Sequence, residues 1–173
     1  MKATLAAINQ MQADGVIGQY AIGGAVGATF YLEPAATLDI DVFVSFQKTS
    51  GSPLINLSPI YDYLTARGHK TQGEYIVIGG WPVQFLPPGN PLVEEALTHA
   101  VATEVEAVPT RVMTAEHLVA IALQVGRAKD HNRILQFIES GALDAAKLDA
   151  ILARHGLLDK WEQFGQRFLK DKP

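Results

Sequence analysis

The stretch AIGGAVGATFYLEPAATLDIDVFV, residues 21–44, decides the fold prediction for this chain of 173 residues. Hydrophobic and other residues alternate over LDIDVFVSF, residues 38–46, which predicts a β-strand. Successive side chains of a strand point to opposite faces, so the aliphatic residues would lie on one face and Asp39, Asp41 and Phe43 on the other. The sequence therefore predicts two carboxylates side by side on one face of a sheet.

Two carboxylates in this position need a physical explanation. Residues two apart on a strand have Cα atoms roughly 6.6–6.8 Å apart, so Asp39 and Asp41 can converge on one point. Ionised carboxylates repel at such a distance unless a cation lies between them, and Mg²⁺ prefers oxygen ligands. The alternative is a solvent-facing edge strand, but Phe43 on the same face and the poor strand propensity of Asp favour a metal site.

A glycine pair precedes these carboxylates. QYAIGG predicts a short buried strand that stops at Gly23 and Gly24, and AVGATFY predicts a short helix or turn. Without side chains at the glycines, backbone N–H groups can approach a phosphate closely. The pattern places a candidate phosphate site next to the candidate metal site.

Composition limits the classes of partner. The chain is 48% hydrophobic and 18% charged with a net charge of -4, as in an ordinary globular protein. Residues 1–108 carry 4 Lys or Arg against 10 Asp or Glu, and residues 109–173 carry 10 against 8. A duplex nucleic acid is a poor partner for so acidic a front part. We expect no membrane span and no signal peptide, and a cytoplasmic location.

The front part of the chain mixes strands and helices. A helix is predicted before the glycine pair, another ends at Gly68, and a hairpin turns at Gly79–Gly80. A further helix over residues 92–101 and one strand, TEVEAVP, complete this part. We predict an α/β (α+β) lobe over residues 1–108.

The remaining chain predicts only helices. Each segment after Pro109 has a 3.6-residue period, a capping residue, or both. Thr114 and Asp144 are suited to cap two of the four helices, and Gly126 to end one. We predict a helical lobe over residues 109–173.

Other catalytic chemistries find no support. The chain has no Cys, so any metal must be held by oxygen or imidazole. It also has no G-x-S-x-G, Walker lysine or G-x-G-x-x-G element. The histidines show no repeated metal-ligand spacing, and each is predicted to lie at the surface or at a helix end. They are His69, His99, His117, His131 and His155.

The stretch IGGAVGATFYLEPAATLDIDVFV resembles the signature of the polymerase β-like nucleotidyltransferase superfamily: a strand ending in Gly-Gly or Gly-Ser, a short helix, and a strand with Asp-x-Asp. Thr37 matches the T-x-D-h-D form of small bacterial members. MTAEHLVAIALQVGRAKDHNRILQFIESG, residues 113–141, resembles the helical segment of the abortive-infection, type IV toxin-like branch, where an R-x-K-D element follows the helix. The resemblance implies a nucleotidyltransferase-fold mixed sheet flanked by helices and followed by a helical lobe.

The resemblance also implies a function. It is the Mg²⁺- or Mn²⁺-dependent transfer of a nucleoside monophosphate from an NTP to a hydroxyl of a protein or a small molecule. Asp39 and Asp41 would be the metal-binding catalytic pair. The implied nucleotide-binding residues are Gly23, Gly24, Thr37, Gln84, Arg127, Lys129 and Asp130.

Within that set, the two glycines would cradle phosphates, while Arg127 and Lys129 would supply positive charge and Asp130 would orient one of them. The alternative for the last three is an exposed helix start with local ion pairs.

Two departures from the family pattern leave activity open. The third carboxylate of the family would fall in PVQFL, where the residue is Gln84, and an amide cannot act as a base. With the turn at Gly79–Gly80, Tyr75 pairs with Gln84, so we predict Glu74 on the opposite face. The toxin-like branch also has a Lys where this chain has Ala122. The second hypothesis is therefore a catalytically degraded relative that binds a nucleotide or a protein partner.

Overall fold

The computed structural model of the protein describes residues 1–33, 39–46 and 56–169. These ranges contain seven strands and eight helices. The strands are β1 (Tyr20–Ile22), β2 (Ile40–Val44), β3 (Lys70–Gln72), β4 (Tyr75–Ile78), β5 (Trp81–Leu86), β6 (Val101–Val105) and β7 (Val108–Val112). The helices are α1 (Lys2–Ala13), α2 (Gly24–Ala28), α3 (Ser58–Ala66), α4 (Pro91–Thr98), α5 (Ala115–Val125), α6 (Ala128–Ser140), α7 (Ala145–Arg154) and α8 (Leu158–Phe168).

The strands form one mixed sheet in the order β3-β4-β5-β2-β1-β7-β6. The pairs β2–β5 and β1–β7 are parallel, and the other pairs are antiparallel. Helices cover both faces of this sheet, so the predicted α+β class is confirmed. The strand that carries Asp41 lies in the middle of the sheet, where its backbone is paired on both sides.

The two faces of the sheet enter different hydrophobic clusters. Ile40, Val42 and Val44 are fully buried and pack with residues of α1 and α3. Phe43, from the opposite face of β2, packs into the cluster formed by the C-terminal helices. The face with Asp41 is therefore the one turned toward the C-terminal helices, on the opposite side from Ile40, Val42 and Val44.

The C-terminal helices begin and end where the sequence predicts. The Thr114 side chain accepts a hydrogen bond from the His117 N–H at the start of α5, and Asp144 caps α7 in the same way through Lys147. Gly126 ends α5 in the left-handed conformation. Val119 has no exposed surface, so α5 is the central helix on which the others pack.

Strands β3 and β7 were absent from the sequence prediction. β3 is exposed and polar at every position, so no hydrophobic alternation identifies it. The segment TEVEAVP, predicted as one strand, is instead part of the hairpin β6–β7, with Glu106 and Ala107 at positive φ in the turn. All of β7 except its first residue lies after the predicted boundary at residue 108, yet the strand belongs to the sheet. The division into lobes 1–108 and 109–173 stays a prediction.

Across the described ranges, no helix is both long enough and apolar enough to cross a membrane.

Candidate active site

The backbone of β2 fixes the position of Asp41. Its Cα is paired with that of Gln84 across the parallel β2–β5 ladder, and its carbonyl accepts a hydrogen bond of 3.0 Å from the Gly23 N–H. Paired residues of neighbouring strands point to the same face. Asp41, Gln84 and the glycine pair therefore lie together on the side of the sheet that faces the C-terminal helices.

The glycine pair is required by close packing at this point. Gly24 has φ +56, and a Cβ there would overlap the Asp41 carboxylate. A Cβ on Gly23 would lie 2.5 Å from Cε2 of Phe43. Since real Cβ atoms do not approach so closely, any side chain at Gly24 would displace the carboxylate. The glycines therefore allow the Asp41 side chain to occupy its place beside α2.

The charge of Asp41 is poorly stabilised. Burial is the main cause that raises the pKa of its carboxyl group, and the nearby negative charge of Asp39 raises it further. Asp39 lies directly before β2, which begins at Ile40. The repulsion between Asp39 and Asp41 is consistent with their predicted placement on one face of the sheet.

Three cations of α6 and its N-cap act on the same carboxylate. Arg133, Lys129 and Arg127 each lower the pKa of Asp41 through their charge, in that order of size, without cancelling the effect of burial. Lys129 and Arg127 belong to the predicted set, and Arg133 was missed. Its spacing from Lys129, four residues on one helix, is the signal that identifies it.

Asp130 binds Arg127 directly. The Arg127 Nε lies 2.7 Å from Oδ2 of Asp130, and the Arg127 backbone N–H donates to the same oxygen at 3.1 Å. Arg133 lies on its other side, with Nη1 3.8 Å from Oδ1. Burial opposes ionisation of Asp130, but the hydrogen bonds from Arg127 outweigh it and lower the pKa of its carboxyl group. Asp130 therefore holds both arginines at the start of α6.

The prediction for Glu74 was wrong. The hairpin has the predicted register, with Ile78 opposite Trp81, yet the Gln84 Nε2 donates to Oε2 of Glu74 at 3.2 Å. The reason is that β4 begins only at Tyr75, after a turn in which Gly73 has φ +63, so strand alternation does not extend to Glu74. A carboxylate thus lies beside Gln84 after all.

The pKa of the Tyr75 hydroxyl depends on the acidic groups near Asp41. Burial, followed by the charges of its acidic neighbours, raises the pKa of the Tyr75 hydroxyl. Those neighbours are Asp39, Glu74 and Asp41. The charges of all three carboxylates thus act on the same hydroxyl group.

One predicted residue is not described by the structure, and two cavities lie away from the aspartates. Thr37 is outside the described residues. Ala122, where the resembled branch has a Lys, is buried in α5. A cavity of about 400 Å³ is lined by residues 68–72 and Val77, and one of about 250 Å³ lies beside α1 and α2. Neither of these cavities is lined by the aspartates. We call the region between Asp41 on β2 and the cations Arg127, Lys129 and Arg133 the groove.

Comparisons with known proteins agree with this architecture. No protein-family model matches the chain, and no curated protein matches it in sequence. Among solved structures, it is similar to an antigenic nucleotidyltransferase-like protein from Paracoccidioides brasiliensis, with a TM-score of 0.60 and 13% identity over 95% of this chain and 89% of that one.

The solution structure of the antibiotic-resistance factor ANT(2'')-Ia also matches, with a TM-score of 0.51 and 14% identity over 94% of this chain and 97% of that one. A crystal structure of ANT(2'')-Ia in complex with adenylyl-2''-tobramycin has a TM-score of 0.50 and 14% identity, covering 91% and 98% of the two chains. The protein therefore has a nucleotidyltransferase fold.

Proposed function

We propose that the protein is a divalent-cation-dependent nucleotidyltransferase that moves a nucleoside monophosphate from an NTP to a hydroxyl of a protein or a small molecule. One observation carries the proposal. The half-buried Asp41 carboxylate has a pKa that is raised by burial and by the charge of Asp39, and the cations of α6 act on it with the opposite sign. Ionisable groups with shifted pKa values cluster at functional sites.

The residues present fit a hard divalent cation. The acidic side chains offer only oxygen ligands, the type that Mg²⁺ and Mn²⁺ prefer. Gly24 leaves the Asp41 carboxylate the space that a Cβ would fill. Asp39 and Asp41 would hold the ion, which, when bound, would neutralise charge on the triphosphate.

The cations of α6 have a complementary role. Arg127 and Lys129 would bind the triphosphate, and Arg133 adds a third positive charge at the same groove. Asp130 would hold Arg127 in the orientation that its two hydrogen bonds fix. Gly23 and Gly24 would cradle phosphates, and Thr37 remains in the proposed nucleotide-binding set.

Glu74 supplies the base that Gln84 cannot. In the proposed step, the acceptor hydroxyl oxygen forms a bond to the α-phosphorus, and the bond from that phosphorus to the oxygen bridging to the β-phosphate breaks. Pyrophosphate leaves, and the hydroxyl proton passes to the Glu74 carboxylate. The 3.2 Å hydrogen bond from Gln84 would hold Glu74 at this position.

The nature of the acceptor is also part of the proposal. The ANT(2'')-Ia structure with adenylyl-2''-tobramycin contains an adenylylated small molecule, which supports a small-molecule hydroxyl as one acceptor class. The R-x-K-D element at Arg127–Asp130 supports the toxin–antitoxin-like branch, and the acidic front of the chain argues against a duplex acceptor. We place the activity in the cytoplasm.

A second function is favoured by one observation. Gln84, not a carboxylate, is paired with Asp41 at the centre of the site. If Glu74 does not replace the missing acid, the protein would bind a nucleotide or a partner protein without turnover.

Labelled nucleotides test these functions. The protein is incubated with labelled NTPs, Mg²⁺ or Mn²⁺, and either aminoglycosides or cell extract. We expect label on an acceptor, which is lost with EDTA and with Asp39→Asn but kept with Asp62→Asn, an exposed control on α3. Thermal stabilisation by NTP without label transfer would favour the binding function. A protein that shows neither response would rule out nucleotide transfer and nucleotide binding, and would point to binding of a partner protein.

Moving the carboxylate from position 74 to position 84 tests whether Glu74 acts as the base. Glu74→Gln keeps the shape of the side chain and is expected to lower the transfer rate by about 10²-fold, as loss of a general base does. Adding Gln84→Glu returns a carboxylate to the neighbouring position and should restore part of the rate. A Glu74→Gln protein with full activity would remove Glu74 from the proposed step.

A further inference from the structure

A second cluster of metal-ligating side chains lies outside the groove, where α4, α5 and α7 meet. Glu95 is on α4, His99 follows that helix directly, and His117 is on α5. One ligating atom of each lies within 4.8 Å of those of the other two. The two imidazole rings are stacked with centroids 5.8 Å apart. His117 lies in the first turn of α5, at a helix end as predicted, but its side chain is only 4% exposed.

Hydrogen bonds orient both rings in the same sense. The His99 Nδ1 lies 2.9 Å from the Glu95 carbonyl oxygen, which can only accept, so Nδ1 carries the proton and Nε2 keeps its lone pair. The His117 Nδ1 lies 2.8 Å from Oγ1 of Thr114, which can accept a hydrogen bond from Nδ1 when Nε2 binds a metal. Metal-binding histidines typically have their second nitrogen held by such a partner. His99 therefore has Nε2 available as a ligand, and His117 would offer its Nε2, which donates to Glu95 when no metal is bound, once the ring proton is on Nδ1.

The carboxylate of Glu95 completes this arrangement. Its Oε1 lies 3.3 Å from Nε2 of His117, and two ligands of a tetrahedral zinc ion are about 3.3 Å apart. Its other oxygen, Oε2, accepts a hydrogen bond of 2.7 Å from His155. One carboxylate oxygen thus faces the histidines while the other is anchored to the end of α7.

We propose that Glu95, His99 and His117 form a zinc site, with a water molecule as the fourth ligand. Two imidazoles and one carboxylate are a ligand set that zinc accepts in tetrahedral geometry. His99 is exposed, so an ion can enter from solvent, and the buried His117 and the α4 backbone fix the inner side. This site shares no residue with the proposed nucleotide groove.

Arg154 would compete with the zinc ion for the Glu95 carboxylate. Its Nη2 lies 2.5 Å from Oε1 of Glu95, the oxygen assigned to zinc. The Arg154 side chain is 54% exposed, so its guanidinium can move into water without burying a charge. Arg154 therefore holds Glu95 when no metal is bound and releases Oε1 when zinc enters.

The competing interpretation is purely structural. Arg154, His155 and His117 together offer enough donors to satisfy both Glu95 oxygens, which would tie three helices without any ion. The two interpretations differ in what removal of Arg154 does. A structural tie would lose stability and bind no zinc, whereas the metal site would bind zinc more tightly.

Metal titration of protein without a polyhistidine tag tests the proposal. Asp39→Asn/Asp41→Asn protein is used, so that ions at the aspartates do not contribute. Zn²⁺ is added in competition with a chromophoric chelator, and Co²⁺ serves as a spectroscopic probe. We expect one equivalent of Zn²⁺ and the visible absorption of tetrahedral Co²⁺.

Variants then assign the ligands. His99→Ala alters an exposed residue and should weaken Zn²⁺ binding by at least ~10-fold, whereas the matched control His69→Ala should not. Arg154→Ala should strengthen binding, and Thr114→Ser should leave it unchanged because the hydroxyl remains. Failure of the protein to bind one equivalent, or equal affinity of His99→Ala and wild type, would overturn the proposal.

Discussion

Asp41 and Glu95 are both sheltered acidic side chains, yet their pKa values shift in opposite directions. At Asp41, burial and the charge of Asp39 raise the pKa. At Glu95, the hydrogen bonds from Arg154, then from His155 and His117, outweigh burial and lower the pKa to about 2. The two carboxylates differ in whether hydrogen bonds and ion pairs within the protein compensate for the loss of hydration.

The difference separates two uses of a carboxylate. Glu95 receives donors from two other helices, so its charge is stabilised by the folded chain itself. The cations around Asp41 act through charge alone in their effect on its pKa and do not cancel the burial. Asp41 is therefore the group with most to gain from an external cation, which is why we place the proposed catalytic metal there.

The largest expected effect concerns Asp41→Asn. We expect transfer activity to fall about 10³-fold, because groups that organise charge around a transition state have effects of this size. A raised pKa means that ionised Asp41 destabilises the fold, and this cost grows as the pH rises through that pKa. The free energy of unfolding at pH 7, measured with urea, should therefore stay equal or rise.

The control is Asp62→Asn, which should change neither quantity. An Asp41→Asn protein that is clearly less stable than wild type would show that its carboxylate has a structural role, and the contrast with Glu95 would fail.

The complementary change is Glu95→Ala. It leaves the three donors without their acceptor, and we expect the free energy of unfolding to fall by about 2 kcal/mol at pH 7. Urea unfolding in the presence of a chelator measures this term without any metal contribution. Glu94→Ala, at the exposed neighbouring position, should change the stability by less than about 0.5 kcal/mol. Equal effects of the two substitutions would contradict the role assigned to Glu95.

The smallest expected effect sharpens the comparison with a third acid. Asp130 is 1% exposed and has a lowered pKa, so it resembles Glu95, although it belongs to the groove. Asp130→Asn should cost about 1 kcal/mol, a value typical of a lost helix cap. A lowered folded pKa gives stability above the unfolded value, near pH 4, that is lost as the pH falls below it.

The difference in unfolding free energy between wild type and Asp130→Asn should therefore disappear in acid. Exposed Asp149→Asn on α7 is the control, and a difference independent of pH would exclude ionisation of Asp130 as its cause.

Local signals explain which parts of the fold the sequence predicted. β2 alternates, the hairpin has Gly79–Gly80 at its turn, and the helix caps Thr114 and Asp144 are chosen by backbone geometry within a few residues. β7 escaped prediction because its hairpin turn at Glu106–Ala107 contains no glycine, and because its other neighbour in the sheet, β1, comes from a distant part of the chain. Its stability depends on pairing and not on its own composition.

The candidate sites follow the same rule. Asp39, Asp41 and the glycines are close in sequence, so a motif identified them. Glu74 was misplaced because one turn residue with positive φ ended the alternation on which the prediction relied. The Glu95 cluster was missed because Glu95 and His99 belong to α4 and its C-cap while His117 belongs to α5, and only tertiary packing brings them together.

The groove joins carboxylates from β2 with cations from α6, and this arrangement has a consequence for synthesis of the protein. A ribosome makes Asp39 and Asp41 long before Arg127, Lys129 and Arg133. Until α6 has emerged and packed, the nascent chain exposes the acidic face of β2 without the opposing charges of α6. The finished groove can exist only after translation has passed that helix, so an incomplete chain released early would carry the acidic half of the site without its basic half.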